Sequence, residues 1–318
     1  MIPSDVPTVL AALSEMVGTT VRGADETVRH ILIAAMVGGH VLLEGPPGVA
    51  KTLLTRCISR CLGQRMARVQ CTPDLMPGDV VGTNVFDFRS QTFVLTRGPV
   101  FTEFLLADEI NRTPPKTQSA LLEAMQERSV TIDGTTYTLP DSFMVVATQN
   151  PIEHDGTYPL PEAQLDRFLF KLVIGYPSER DELDAVLTHC NQANMPSLDS
   201  PELQPILEPE HIAQLHEVVG RVRIEADVAR YVVNLARATR EHPMVSTGLS
   251  PRAACMLASA ARAQAACEGR DYTVPDDVKQ LLLPVARHRI LLDPEAEMDG
   301  VTAERVLYDT ASTVVAPH

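Results

Sequence analysis

The 318-residue sequence predicts an α/β domain with a five-stranded, mostly parallel sheet, followed by a smaller all-helical domain. Three observations carry that expectation. Between residues 41 and 174, short apolar strand signals alternate with helical periodicity, the pattern of crossover-connected parallel strands. The first of these strands, Val41-Leu42-Leu43, breaks at a Gly/Pro turn and a helix begins directly after it. From Ser178 onward, by contrast, the periodicity is helical.

Helical periodicity covers residues 8–17 and 25–38, with Val28, Ile31, Leu32 and Ala35 on one face and a turn at Val21-Arg22-Gly23 between the two. After the first strand comes a helix to Leu62, stopped by Gly63, and a strand over residues 67–71. Residues 72–100 carry Pro73, Pro77, Gly78, Gly82 and Gly98, too long a stretch for a plain connection. A hairpin is expected inside it, because residues 84–88 and 92–95 both alternate. A buried strand over 104–107 leads to a helix over 117–127. A hairpin over 130–139 then turns on Asp133-Gly134, a type I′ signal. Strands over 143–147 and 170–174, with a short helix over 162–166 between them, complete a first domain of residues 1–176.

The second domain, residues 177–318, opens with a helix to about Cys190, capped by Ser178 with Glu179 and Asp181 in its first turn. Residues 193–210 contain four prolines and read as a linker. Helices over 211–220, 226–240, 251–268 and 275–288 follow, and residues 301–315 have weak helical character.

Composition restricts the function. Lys plus Arg number 27 against 41 Asp plus Glu, and a net charge of −14 disfavours wrapping nucleic acid. The six cysteines include no C-x-x-C pair, so they are expected to be reduced and buried rather than metal-binding or bridged. Met1-Ile2-Pro3-Ser4-Asp5 lacks the features of a signal peptide. The longest apolar run, residues 31–39, falls short of the roughly 18 residues that span a bilayer. A cytoplasmic location is expected.

The chemistry starts at Gly45-Pro46-Pro47-Gly48-Val49-Ala50-Lys51-Thr52. A strand, a glycine-containing loop and a helix N-terminus form an anion cradle. Gly45 and Gly48 allow close approach, and the two prolines leave donation to the N–H groups from Gly48 onward. Lys51 is placed to reach the β- and γ-phosphates, and the Thr52 hydroxyl to ligate Mg²⁺. Ala50 occupies the position of the loop's last glycine. Because the helix begins there, ordinary helical angles are expected to suffice. Asp108 and Glu109, at the end of a buried strand, supply a metal-directed carboxylate and a group to polarise the attacking water. Asn150 either contacts the γ-phosphate or lytic water or starts an Asn-Pro turn. Arg167 is either a finger for a neighbouring subunit or an intrachain partner of Asp166 or Glu162. Arg252, after Ser250-Pro251, either reaches the γ-phosphate from the helical domain or decorates a helix start.

These stretches, with residues 105–112, 114–127, 147–153, 156–168 and 250–253, together resemble a MoxR-type AAA+ ATPase over about residues 21–288. Alanine at position 50 is itself similar to that family's loop. The resemblance implies ATP and Mg²⁺ as cofactors, with Gly45, Pro46, Pro47, Gly48, Val49, Ala50, Lys51, Thr52 and Leu53 holding the nucleotide and Thr52 and Asp108 the metal. It implies Glu109 as Walker B base, Asn150 as sensor 1, Arg167 as arginine finger and Arg252 as sensor 2. Residues 72–100 resemble the helix-2 insert and 129–139 the pre-sensor-1 hairpin, both facing the centre of a ring. A homo-oligomer is implied, hexameric in this family, that acts like a chaperone on a protein client or in metal cofactor insertion. Its implied partner is a protein with a von Willebrand factor A domain.

Three rivals remain. A magnesium-chelatase-like ATPase subunit shares the organisation, and a nucleotide-gated binding module would keep the cradle without turnover. A nucleic-acid translocase would need cations on its pore loops. Residues 129–139 contain no Lys or Arg, and residues 71–96 contain only Arg89.

Overall fold

The computed structural model describes residues 1–151, 156–190 and 203–317. Most of the linker expected over 193–210 lies outside the described residues, as do Ile152 and Glu153 of the 147–153 motif. Helices α1 (Val6–Gly18) and α2 (Asp25–Val37) precede strand β1 (Val41–Glu44), and α3 (Lys51–Cys61) leads to β2 (Met66–Gln70). The insert holds α4 (Pro77–Val81) and the antiparallel hairpin β3 (Gly82–Asp87) and β4 (Thr92–Arg97). Next come β5 (Phe104–Asp108), α5 (Pro115–Glu127) and the hairpin β6 (Ser129–Ile132) and β7 (Thr135–Thr138). That hairpin turns on Asp133 and Gly134, both at positive φ, as a type I′ turn requires. Then β8 (Met144–Gln149), α6 (Glu162–Leu165) and β9 (Phe170–Val173) finish the sheet.

The five strands lie in the order β2-β5-β8-β1-β9, and every neighbouring pair is parallel. The expectation of a mostly parallel sheet thus becomes a fully parallel one. Burial explains it: Leu105, Leu106, Ala107, Val145, Val146 and Ala147 are all completely buried, as strands covered on both faces must be.

Helices α7 (Glu179–Cys190), α8 (Pro209–Arg221) and α9 (Ala226–Glu241) open the second half. Ser178 Oγ accepts from the Asp181 N–H at 3.2 Å, so the cap inferred from sequence is present. Next come β10 (Val245–Thr247), α10 (Pro251–Cys267), α11 (Pro275–Ala286), β11 (Leu291–Leu292), α12 (Pro294–Met298) and α13 (Ala303–Thr313). This half is therefore not wholly helical, because β10 and β11 pair into a short antiparallel ribbon. Their two- and three-residue lengths are too short for an alternation signal.

One apolar core runs from the sheet through α1, α2 and α3 into α8, α9, α10 and α11; a second fills the other face with α5 and β6. Helix α2 is buried almost all round, including Ile31, Leu32, Ile33 and Met36, because it is sandwiched between sheet and helical half. Cys57, Cys61, Cys71 and Cys267 are buried thiols, as composition implied, and burial pushes the first three up to about 11. Cys190 and Cys255 depart from that expectation and are exposed.

A polar clamp fastens the helical half to the sheet. Arg289, between α11 and β11, is 8% exposed. Its Nε donates to Asp166 Oδ1 at 2.7 Å, Nη2 to the Asp166 and Phe168 carbonyls at 3.0 and 2.5 Å, and Nη1 to the Leu169 carbonyl at 3.2 Å. Beside it, His288 Nε2 donates to the same Phe168 carbonyl at 3.0 Å. Truncating one member of a buried ion pair strands its partner, at a cost of about 3–5 kcal/mol. Arg289→Met is therefore expected to lower stability by about 3 kcal/mol, as the partly exposed Asp166 rehydrates. Urea unfolding measures it, and an unchanged midpoint contradicts the clamp.

His40, immediately before β1, is a second buried polar joint. Its Nε2 donates to the Met125 carbonyl of α5 at 3.0 Å and its Nδ1 accepts from the Val145 N–H at 3.0 Å. That arrangement requires the neutral ring, and burial lowers its pKa to about 4. Unfolded, the ring protonates near pH 6.5, so stability is intact above that value and falls as pH drops from 6.5 towards 4. His40 alone is expected to contribute a loss of about 2 kcal/mol between pH 7 and pH 5. Urea titrations at the two pH values should find a smaller loss in His40→Gln.

Candidate functional site

Parallel strands in the order β5-β8-β1 deliver their carboxyl ends to one rim, where doubly wound sheets bind ligands. There, Gly45 follows β1, Asp108 ends β5, and Gln149 ends β8. The Gly45 N–H donates to the Gln149 carbonyl at 3.3 Å, tying the loop to the neighbouring strand. A cleft of about 440 Å³ opens at this rim. It is lined by the loop from Pro47 to Leu53, by Asp108 and Glu109, by Thr148, Gln149 and Asn150, and by Arg68 and Gln70 of β2. Residues far apart in sequence and expected to act on one nucleotide thus share one cleft.

The loop geometry is that of an anion cradle. A Cβ on Gly45 would lie 2.2 Å from the Ile174 carbonyl, so no other residue fits without moving backbone. Gly48 sits at φ +85°, the left-handed region. Lys51 Nζ donates to the Gly45 and Pro46 carbonyls at 2.6 and 2.8 Å, folded over the loop it would share with a phosphate. Ala50 corrects the sequence expectation. It adopts φ 58°, ψ 25°, left-handed rather than helical. It is the N-cap of α3, at the point where the loop turns into the helix at Lys51. The alanine thus takes the glycine conformation, at a cost of roughly 1–2 kcal/mol.

Asp108 is buried and fully engaged. Its Oδ2 accepts from Thr52 Oγ1 at 2.9 Å and from Arg68 Nη2 at 2.8 Å, and its Oδ1 accepts from Thr148 Oγ1 at 2.6 Å. Thr148 Oγ1 in turn accepts from the Glu109 N–H at 2.9 Å, so one hydroxyl orients both acids. Glu109 too is left-handed, at φ 60°. Its Oε2 accepts from Gln70 Nε2 and from Arg112 Nη1, both at 3.2 Å. Asn150 is buried at the cleft wall, and its carbonyl accepts from Asn111 Nδ2 at 3.4 Å.

Arg167 and Arg252 do not line this cleft. The intrachain alternative for Arg167 is not realised: Asp166 pairs with Arg289, and the Arg167 guanidinium has no hydrogen bond or ion pair among the described residues. Arg252 is exposed in the first turn of α10, where Ser250 Oγ accepts from the Ala253 N–H at 3.1 Å. Arg68, Gln70, Arg112 and Thr148 were not singled out from sequence. For Arg68 and Gln70 a signal exists, because residues two apart on a strand share a face, and two polar ones flanking buried Val69 mark a face with work to do.

Thr52 Oγ1 and Asp108 Oδ2 are hard oxygen donors 2.9 Å apart. Magnesium is typically held by one or two carboxylates together with substrate phosphates, so the pair suits that ion. Ala50→Gly is expected to relieve the left-handed strain and raise stability by about 1 kcal/mol. A urea midpoint shifted upward at unchanged slope is the observation that checks it.

Known proteins resemble this chain along most of its length. Residues 40–170 match the model of the ATPase family associated with various cellular activities (AAA), and residues 237–310 match the AAA lid domain. The chain is 43% identical to the uncharacterized protein YeaC of Bacillus subtilis, over 98% of this chain and 96% of that protein. It is 42% identical to Chaperone MoxR1 of Mycobacterium tuberculosis, over 93% of this chain and 79% of that protein. Protein MoxR of Paracoccus denitrificans is 33% identical, over 93% of each chain. A crystal structure from Cytophaga hutchinsonii superposes with a TM-score of 0.89 at 36% identity, covering 98% of this chain and 96% of that one. With both halves matched and relatives aligned nearly end to end, the chain belongs to the MoxR family of AAA+ ATPases.

Proposed function

We propose that this chain is a Mg²⁺-dependent ATPase, working as one subunit of a homo-oligomeric, hexameric ring in the cytoplasm. The carrying observation is the convergence of loop, paired acids and Asn150 on one cleft, while Arg167 stands outside it with no side-chain partner among the described residues. In this reading Gly45, Pro46, Pro47, Gly48, Val49, Ala50, Lys51, Thr52 and Leu53 bind ATP, and Thr52 and Asp108 hold the metal. Bound Mg²⁺ would neutralise charge on the β- and γ-phosphates. Glu109 accepts a proton from the attacking water, and Asn150 orients it. Arg252 reaches the site when the helical half closes, and Arg167 completes the site of the next subunit.

The rigid footing of Arg167 supports the last role. Its neighbours Asp166 and Phe168 are held by Arg289, so the arginine is presented from a fixed backbone. A protein client is supported by the relative named a chaperone and by the β3–β4 hairpin. That hairpin exposes Phe86, Phe88 and Phe93, with the Phe86 ring centroid 5.3 Å from each of the other two, an apolar surface suited to protein rather than to phosphate backbone. Remodelling of a partner with a von Willebrand factor A domain, or metal cofactor insertion, is the corresponding cellular task. Among the described residues, no helix is long and apolar enough to cross a membrane.

Glu109→Gln is expected to lower ATP turnover by about 100-fold or more while retaining ATP. Wild-type turnover in that variant would remove Glu109 from its role. Arg167→Ala should lose hydrolysis but keep ATP affinity, and mixing it with Lys51→Ala subunits should recover part of the activity. No recovery on mixing would count against delivery in trans.

A further inference from the structure

The divalent-ion position carries a protein cation. Asp108 Oδ2, the oxygen beside Thr52 Oγ1, accepts from Arg68 Nη2 at 2.8 Å. The same Arg68 Nη2 donates to Gln70 Oε1 at 2.7 Å, which holds the guanidinium over the carboxylate. Asp108 is 8% exposed at its side chain and Arg68 48%, so a buried anion is neutralised by a long side chain anchored at the solvent edge. A carboxylate that deep needs a counter-charge, and Arg68 supplies one within the chain. Arginine cannot relieve repulsion by losing its proton. A divalent cation at Thr52 and Asp108 would therefore meet a like charge at hydrogen-bond range and compete with it for Oδ2, which already accepts two hydrogen bonds. Arg68 lies on an exposed position of β2, with room for its stem to swing outward.

We infer that Arg68 is a built-in competitor of Mg²⁺ for Asp108. It neutralises Asp108 from within the chain, and it sets the concentration at which the site takes metal together with nucleotide. The inference rests on the reading of Thr52 and Asp108 as metal donors. Arg68 is a positioning residue in this scheme: it acts on the metal through Asp108. Its removal makes metal binding easier, the opposite of losing a ligand.

The test is a Mn²⁺ titration of the full-length protein with saturating ADP, reading free Mn²⁺ by electron paramagnetic resonance. Arg68→Gln is expected to lower the Mn²⁺ midpoint about three- to fivefold, the scale of a half-exposed ion pair. ADP affinity in EDTA should not change. Arg68→Lys, which keeps the charge but not the fork onto Gln70, should fall between the two. Thr52→Val, which removes a metal oxygen, should raise the midpoint. A raised midpoint in Thr52→Val with an unchanged one in Arg68→Gln overturns the competition alone. Weaker ADP binding by Arg68→Gln in EDTA, without a tighter metal midpoint, would make Arg68 a phosphate ligand and also overturns it. An unchanged midpoint in Thr52→Val overturns the metal site itself, and the competition with it.

Discussion

Everything at this site depends on the five strands running the same way. In a fully parallel sheet, each strand ends at the same rim, and each return passes through a helix or loop on a face. The order β2-β5-β8-β1-β9 then sets the neighbours at that rim: Arg68 and Gln70 beside Asp108, Asp108 beside Thr148, Gln149 beside Gly45. Neighbouring strands lie about 4.8 Å apart, close enough for short side chains to bond across them. The result is a site held by 2.6–2.9 Å bonds among Thr52, Asp108, Thr148, Arg68 and the Glu109 amide. An antiparallel strand at β5 or β8 would send its polar end to the opposite rim.

The second dependence is on how the helical half is fastened. Most of its contact is apolar, through α2, and apolar contact permits sliding. Arg289 adds direction, because a planar guanidinium reading a carboxylate and three carbonyls accepts few orientations. The carbonyls belong to the stretch carrying Arg167. The helical half and Arg167 thus share one footing, because Arg289 holds the backbone on both sides of that arginine.

Much of this was legible in the chain. The strand-loop-helix at Gly45 to Thr52 and the two acids after a buried strand are local patterns, and each formed where its spacing indicated. So did the Asp133-Gly134 turn and the Ser250 cap. Ala50 was not legible, because its left-handed angles arise where the loop turns into α3, and no local sequence pattern selects them. Alanine tolerates either region at modest cost, so residue identity does not choose between them. The role of Arg68 was hidden for a different reason: its partner Asp108 lies on a strand whose adjacency no local period encodes.

The sequence by itself determined the element order, the phosphate loop, the acid pair and the family, because these rest on interactions within a few residues or on motif spacing. Tertiary structure alone decided which strand ends touch and that Asp166 goes to Arg289, leaving Arg167 without a side-chain partner among the described residues. It also decided that Asp108 Oδ2, the oxygen beside Thr52, carries a guanidinium. The physical reason is range. Hydrogen bonds and ion pairs act over about 3–4 Å, and only the folded chain says which residues come that close.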